Sequence, residues 1–289
     1  MTMQRQIFET PRGPQSVLLS TSASPSAPWL HFGHATGMHA RLYARFLEPL
    51  APHFKIIAAD FRGHGESPFF LQDNPINDWQ DLSEDTLALI NTVAPAQKFW
   101  LMGHSLGAVC ALLTLTHHPA RIAGVMALDP PLLPAQRVPD FTPANLENAF
   151  PLIRTSLNRS PHFPDRATIE AAYRGRGVFK TFSEADLMAY LEGGLAPGPN
   201  GLHLRCTPHA EAATFNGFST DPKIWPAALT RPFSLLAGQT NSTVPDDTLA
   251  RYAVHPLCHE ARRLPGTDHF LPLQAGETIR TSLLSLLRS

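Results

Sequence analysis

Ser105 stands between two glycines in Gly103-His104-Ser105-Leu106-Gly107, at the junction of an apolar run, "KFWLMGH" (residues 98–104), and a helical pattern that begins at Leu106. In that setting a G-x-S-x-G pentapeptide predicts a sharp strand-to-helix turn. The glycines leave room for the crowded backbone, and the serine hydroxyl emerges at a helix N-terminus, where N–H groups point at incoming negative charge. The chemistry this suits is nucleophilic attack on a carbonyl carbon, provided that a base takes the serine proton. Metal chemistry is less well served. His31 with His34, and His255 with His259 around Cys258, have workable spacings, but neither set has a third ligand nearby, so no metal and no cofactor are expected.

Such a serine needs a rigid frame, and the chain has the material for one. It has 289 residues, 43% hydrophobic and 16% charged, which suits one large domain carrying an insertion better than two equal domains. Short apolar runs bounded by turn residues, "SVLLS" (16–20), "PWLHF" (28–32), "FKIIAAD" (54–60), "KFWLMGH", "IAGVMALD" (122–129) and "PFSLLAG" (232–238), predict buried strands. Between them, residues 38–51, 81–94 and 106–119 carry helical patterns, the last ending at Pro119. Strands alternating with helices imply a mostly parallel central sheet covered by helices on both faces. Residues 131–219 break the rhythm with prolines, phenylalanines and helix-like pieces, and predict an inserted, mainly helical cap; residues 1–130 and 220–289 then form the core. The net charge of −1, with both signs interleaved, gives no footprint for nucleic acid, and no apolar run approaches the ~20 residues of a membrane span. Three widely spaced cysteines predict a reducing, cytoplasmic setting and a small-molecule partner; oligomeric state is left open.

Five segments in order resemble the α/β-hydrolase superfamily. Besides the serine pentapeptide they are "HATGMHA" (34–40), "DFRGHGES" (60–67), "AGQTNSTVP" (237–245) and "PGTDHFLPLQ" (265–274), which are similar to the oxyanion loop, the D-x-R-G-x-G-x-S turn, the acid-bearing loop and the histidine segment. The H-A-T-G loop, with "GLHLRCTPHAEAATF" (201–215), also resembles a bacterial subgroup of hydrolases. The resemblance implies an α/β-hydrolase fold with Ser105 as nucleophile and His269 as general base. The backbone N–H of Leu106, with that of Thr36 or, second, Gly37, would form the oxyanion hole. His34, Gly37 and His104 are expected to line the substrate pocket, as is His64, while Asp60 is read as structural. The third triad position departs from the pattern, because Asn241 stands where an acid is usual. Asp129, at the end of the run after the nucleophile helix, is the first candidate; Asn241 is the alternative, ahead of Asp246 or Asp268.

What this implies is a hydrolase that cleaves a small carboxylic ester or related acyl compound through an acyl-serine intermediate. The alternatives are carbon–carbon bond hydrolysis of a keto acid, or a receptor that uses the same pocket without turnover. Dehalogenase and epoxide hydrolase chemistry would need a carboxylate where Ser105 stands. In the cap, Arg154, Arg159, Arg166, Arg174, Arg176 and Lys180 alternate with Glu147, Asp165, Glu170, Glu184 and Asp186, which favours a solvated face over an anion site. Phe150, Phe163, Phe179 and Phe182 fit either a small cap core or the wall of an acyl pocket.

Overall fold

In the computed structural model, which describes residues 3–20, 24–68, 74–132, 151–218, 224 and 226–288, the apolar runs become neighbouring strands. The strands are β1 (Gln4–Thr10), β2 (Gly13–Ser20), β3 (Trp29–Gly33), β4 (Lys55–Ala59), β5 (Phe99–His104), β6 (Ile122–Leu128), β7 (His162–Phe163), β8 (Leu195–Gly198), β9 (Gly201–Leu204), β10 (Phe233–Gly238) and β11 (Cys258–Leu264). The helices are α1 (Ala44–Leu47), α2 (Trp79–Val93), α3 (Leu106–His117), α4 (Pro151–Leu157), α5 (Arg166–Tyr173), α6 (Glu184–Gly194), α7 (Pro208–Asn216), α8 (Asp246–Ala253), α9 (Leu271–Gln274) and α10 (Gly276–Leu286). Among the described residues the main sheet runs β1-β2-β4-β3-β5-β6-β10-β11. β2 is antiparallel to both of its neighbours, and all strands from β4 to β11 in that order are parallel.

Alternation along the strands divides the core between the two faces of the sheet. Leu30, Phe32, Ile56 and Met102 pack with α1 and α10 on one face; Ile57, Leu101, Val125 and Leu235 pack with α2 and α3 on the other. α3 is apolar almost all round, and Leu106 to Leu115 are all buried, because it lies between the sheet and α2. Among the described residues no helix is long and apolar enough to cross a membrane.

Three elements differ from the pattern in the sequence. β1 and β11 are edge strands with exposed or half-buried polar residues, so they lack the continuous apolar run that marks β3 to β6. The predicted helix over 38–51 is a 3-10 turn (Ala40–Tyr43), the single turn α1 and a second 3-10 turn (Glu48–Leu50), the last admitting Pro49 in a first turn, where its missing N–H costs nothing.

The part of the expected cap that is described, residues 151–218, holds α4 to α7 and a small sheet in the order β7-β9-β8; Glu147 and Phe150 lie outside the described residues. This segment is tied to the loop after β3 by His39 Nε2–H donating to Tyr190 O (2.9 Å) and by the Arg41–Glu192 pair (3.0 Å). Trp79 Nε1–H donates to Thr214 O at 2.7 Å, anchoring α7 to α2.

Close backbone approach accounts for two glycines of the serine turn. A Cβ on Gly103 would lie 2.1 Å from Gly107 O, and one on Gly107 would lie 2.1 Å from Gly33 O. Both obstacles are backbone, which cannot swing aside as a side chain can. Gly107→Ala is therefore expected to destabilise the fold by about 3 kcal/mol, the upper end of the range for overpacking. Urea unfolding measures this, and a variant within ~0.5 kcal/mol of the parent would show that the end of β3 yields.

Candidate active site

The parallel strands deliver the candidate residues to one edge of the sheet. Ser105 follows β5, Asp129 follows β6, Asn241 lies after β10 and His269 after β11, all beyond carboxyl ends, where ligands of open α/β sheets bind. Among the described residues the non-glycine positions with positive φ are Ser105 (53°), Asp129 (46°) and Asn241 (48°). At Ser105 and Asp129 the strain persists because neighbouring strands hold the backbone: Ser105 N–H donates to Leu128 O (2.9 Å) and Asp129 N–H to Leu236 O (2.8 Å).

Asp129, fully buried, meets His269: Nδ1–H of the imidazole donates to Asp129 Oδ2 at 2.5 Å. The same carboxylate accepts from Gly238 N–H (2.8 Å), Ser242 Oγ (2.6 Å) and Thr243 N–H (2.9 Å). Burial alone would push its pKa up, but the hydrogen bond and charge of His269, with Ser242 and Thr243, outweigh that and pull it down to about 2. Asn241 lines the cavity and makes no hydrogen bond to His269. Its left-handed backbone, which asparagine tolerates, turns the loop so that Ser242 and Thr243 reach Asp129. The loop that carries an acid in the superfamily pattern thus supplies donors to an acid on the neighbouring strand. Asp246 pairs instead with Arg263, and Asp268 with its own loop and Gln274.

The imidazole is also braced from behind. His104 Nε2–H donates to His269 O (2.7 Å), and Tyr43 O–H donates to His104 Nδ1 (2.7 Å). Burial, then the neighbouring His269, lowers the His104 pKa to about 3 and keeps this ring neutral. Ser105 Oγ has no hydrogen-bond partner among the described residues, and it lines the same cavity as His269.

His34, Gly37, His104 and His64, expected to line the substrate pocket, are all buried, and each is held by hydrogen bonds. Phe61 N–H donates to His34 Nε2 (3.0 Å), whose Nδ1–H reaches Ala35 O (2.8 Å). Gly37 N–H donates to His64 Nε2 (3.1 Å), so it is already engaged, whereas the N–H groups of Thr36 and Leu106 have no internal acceptor among the described residues. Asp60 accepts from Glu66 N–H (2.9 Å) within its own glycine turn, and from Ala40 N–H (2.7 Å), which joins that turn to the loop after β3.

A cavity of about 780 Å³ opens above Ser105. Its wall includes Tyr173, Phe179 and Phe270, with Tyr173 and Phe179 stacked at 4.6 Å. Arg174 is satisfied on the surface by Glu170 and Glu184, as the solvated-face reading expects. Arg159 is different. Its side chain, 20% exposed, lines the cavity and pairs with Glu211, whose side chain is 11% exposed, and its Nη2 donates to the hydroxyls of Tyr173 (2.9 Å) and Tyr190 (3.1 Å). Among the described residues no group of three His, Cys, Asp or Glu is placed to hold a metal.

Residues 25–187, more than half of the chain, match the family described as serine aminopeptidase, S33. The chain belongs to this family. It is a hydrolase of the α/β-hydrolase fold. A relative from Mesorhizobium japonicum, 2-(acetamidomethylene)succinate hydrolase, is 26% identical over 258 residues, covering 88% of this chain and 86% of the relative. The crystal structure of E-2-(acetamidomethylene)succinate hydrolase is 22% identical, with a TM-score of 0.77 over 99% of this chain and 100% of that one. The thioesterase domain from the curacin biosynthetic pathway is 18% identical, with a TM-score of 0.75 over 98% and 100%.

Sequence reasoning missed Ser242, Thr243, Tyr43 and Glu211. The first two sit beside Asn241, and the absent acid there was the available signal that the loop does something else. Glu211 is about 50 residues from Arg159, and nothing in the spacing announces their contact.

Proposed function

We propose that this hydrolase cleaves a carboxylic ester or similarly activated acyl compound through an acyl-serine intermediate. In this reading residues 131–219 form a cap over a core of residues 1–130 and 220–289. Ser105 is the nucleophile, His269 the base and Asp129 the acid that orients and charge-balances it. The observation that carries the reading is the 2.5 Å contact between His269 Nδ1 and the donor-rich carboxylate of Asp129, beside a serine held in a strained turn on the same cavity. His269 Nε2 takes the proton of Ser105 Oγ as the oxygen bonds to the acyl carbon; the carbonyl oxygen becomes an oxyanion that accepts the N–H groups of Leu106 and Thr36. Collapse breaks the bond to the leaving alcohol, which takes the proton from His269. Water then repeats the sequence and frees the acid.

The receptor alternative rested on the missing acid at Asn241; a carboxylate that reaches His269 from Asp129 supports turnover instead. Cleavage of an acid-bearing substrate, including carbon–carbon cleavage in a keto acid, is a second reading. Arg176 and Lys180, which line the cavity, favour it, and the Mesorhizobium japonicum relative is named for a succinate. The deeper cation, Arg159, is paired with Glu211, which favours the ester.

Incubation with p-nitrophenyl butyrate should release p-nitrophenolate, and an acid-quenched digest should carry a butyryl group on the peptide containing Ser105. No turnover of any short acyl ester, with no adduct, overturns the reading.

A further inference from the structure

The pairing of Arg159 with Glu211 concerns the acyl group rather than the reaction, and its meaning rests on the serine-hydrolase reading above. Both side chains are largely buried and both line the cavity that holds Ser105. Glu211 comes from α7 and reaches the oxyanion loop: a Cβ on Gly37 would lie 2.3 Å from Glu211 Oε1, so the carboxylate rests on the backbone next to Thr36. Arg159 meets the carboxylate from the other side. Its Nη1 bonds Glu211, its Nη2 bonds the hydroxyls of Tyr173 and Tyr190, and its guanidinium lies over the Tyr173 ring, 5.7 Å from the centroid.

We propose that Glu211 is a specificity-determining residue: by occupying Arg159 it fills, from within the chain, the place that a substrate carboxylate would take, and restricts the cavity to uncharged acyl groups. An anionic acyl group beside Arg159 gains the guanidinium but meets the Glu211 carboxylate at the same spot. Its desolvation is left uncompensated. An uncharged chain meets no such cost and packs on the rings of Tyr173 and Phe179. Without the Glu211 charge, the guanidinium and the two phenol hydroxyls form a ready anion site, since a lone buried cation requires a counter-charge.

The test compares p-nitrophenyl butyrate with p-nitrophenyl hemisuccinate, acyl groups of one chain length that differ in a terminal carboxylate. The parent protein should show at least a tenfold higher kcat/KM for the butyrate. Glu211→Gln, which keeps the shape and removes the charge, should move the ratio at least tenfold toward the hemisuccinate, and Arg159→Gln/Glu211→Gln should return it to the butyrate. In the Ser105→Ala background, calorimetry should detect monomethyl succinate binding only when Glu211→Gln is also present. This arm does not depend on turnover, so its outcome stands even if the ester reading fails. Equal kcat/KM for the two esters in the parent protein, or an unchanged ratio in Glu211→Gln, overturns the proposal. The parent ratio decides alone if Glu211→Gln does not fold.

Discussion

Ser105→Ala is expected to remove all covalent capture by a fluorophosphonate probe and to cut ester turnover roughly a million-fold, the scale seen when a triad serine is lost. The size follows from the chemistry. With no hydroxyl in the turn there is no acyl-serine, and what remains is binding and the N–H groups of Leu106 and Thr36. The fold should persist, because Ser105 Oγ has no hydrogen-bond partner among the described residues and the strained φ of 53° is set by the turn. Mass spectrometry of the labelled protein and its melting curve test both statements. Labelling that survives the substitution would place the nucleophile elsewhere.

Asp129→Asn is expected to lower kcat by about 10³–10⁴-fold, the cost of losing a triad carboxylate, while Asn241→Gly should change it by less than about tenfold. Glycine keeps the left-handed backbone at 241, so that variant tests the side chain alone. The Asp129 substitution has a second signature. Because the folded-state pKa is depressed to about 2, below the ~3.9 of an unfolded aspartate, this carboxylate contributes stability that is complete above about pH 4. The contribution, on the order of 2 kcal/mol, disappears as pH falls through about 2. The Asp129→Asn protein should be less stable at neutral pH and should lack that part of the acid-induced loss. Urea titrations at pH 6 and pH 3 measure it. If Asn241→Gly proves the more damaging change to kcat, the assignment of Asp129 is wrong.

Much of this was legible in the sequence, for reasons that can be stated residue by residue. β3 to β6 and β10 are buried on both faces, so each reads as a continuous apolar run, and the runs alternate with helical patterns; together these imply a parallel sheet. Steric demand is equally local at Ser105, since no side chain fits at Gly103 or Gly107, and the turn is therefore visible as a pattern. Edge strands β1 and β11 were not visible, because half-exposed strands do not need apolar runs.

Relations between distant residues were the part that only tertiary structure decided. Asp129 and Asn241 were both open as partners of His269, and the register of β6 beside β10 brings the first to 2.5 Å while turning the second into a bend that serves it. His34, His64 and His104 flank the glycine motifs in sequence, and packing gives each a long-range bond: His34 accepts from Phe61 N–H, His64 from Gly37 N–H, and His104 donates to His269 O. Arg159 looked like one charge on a solvated face, and its placement against Glu211 follows from how α7 lies over the loop after β3. Spacing along the chain encodes which residues share an element. Which elements meet, and therefore which charge ends against which, is set by the long-range packing that the sheet and its covering helices impose.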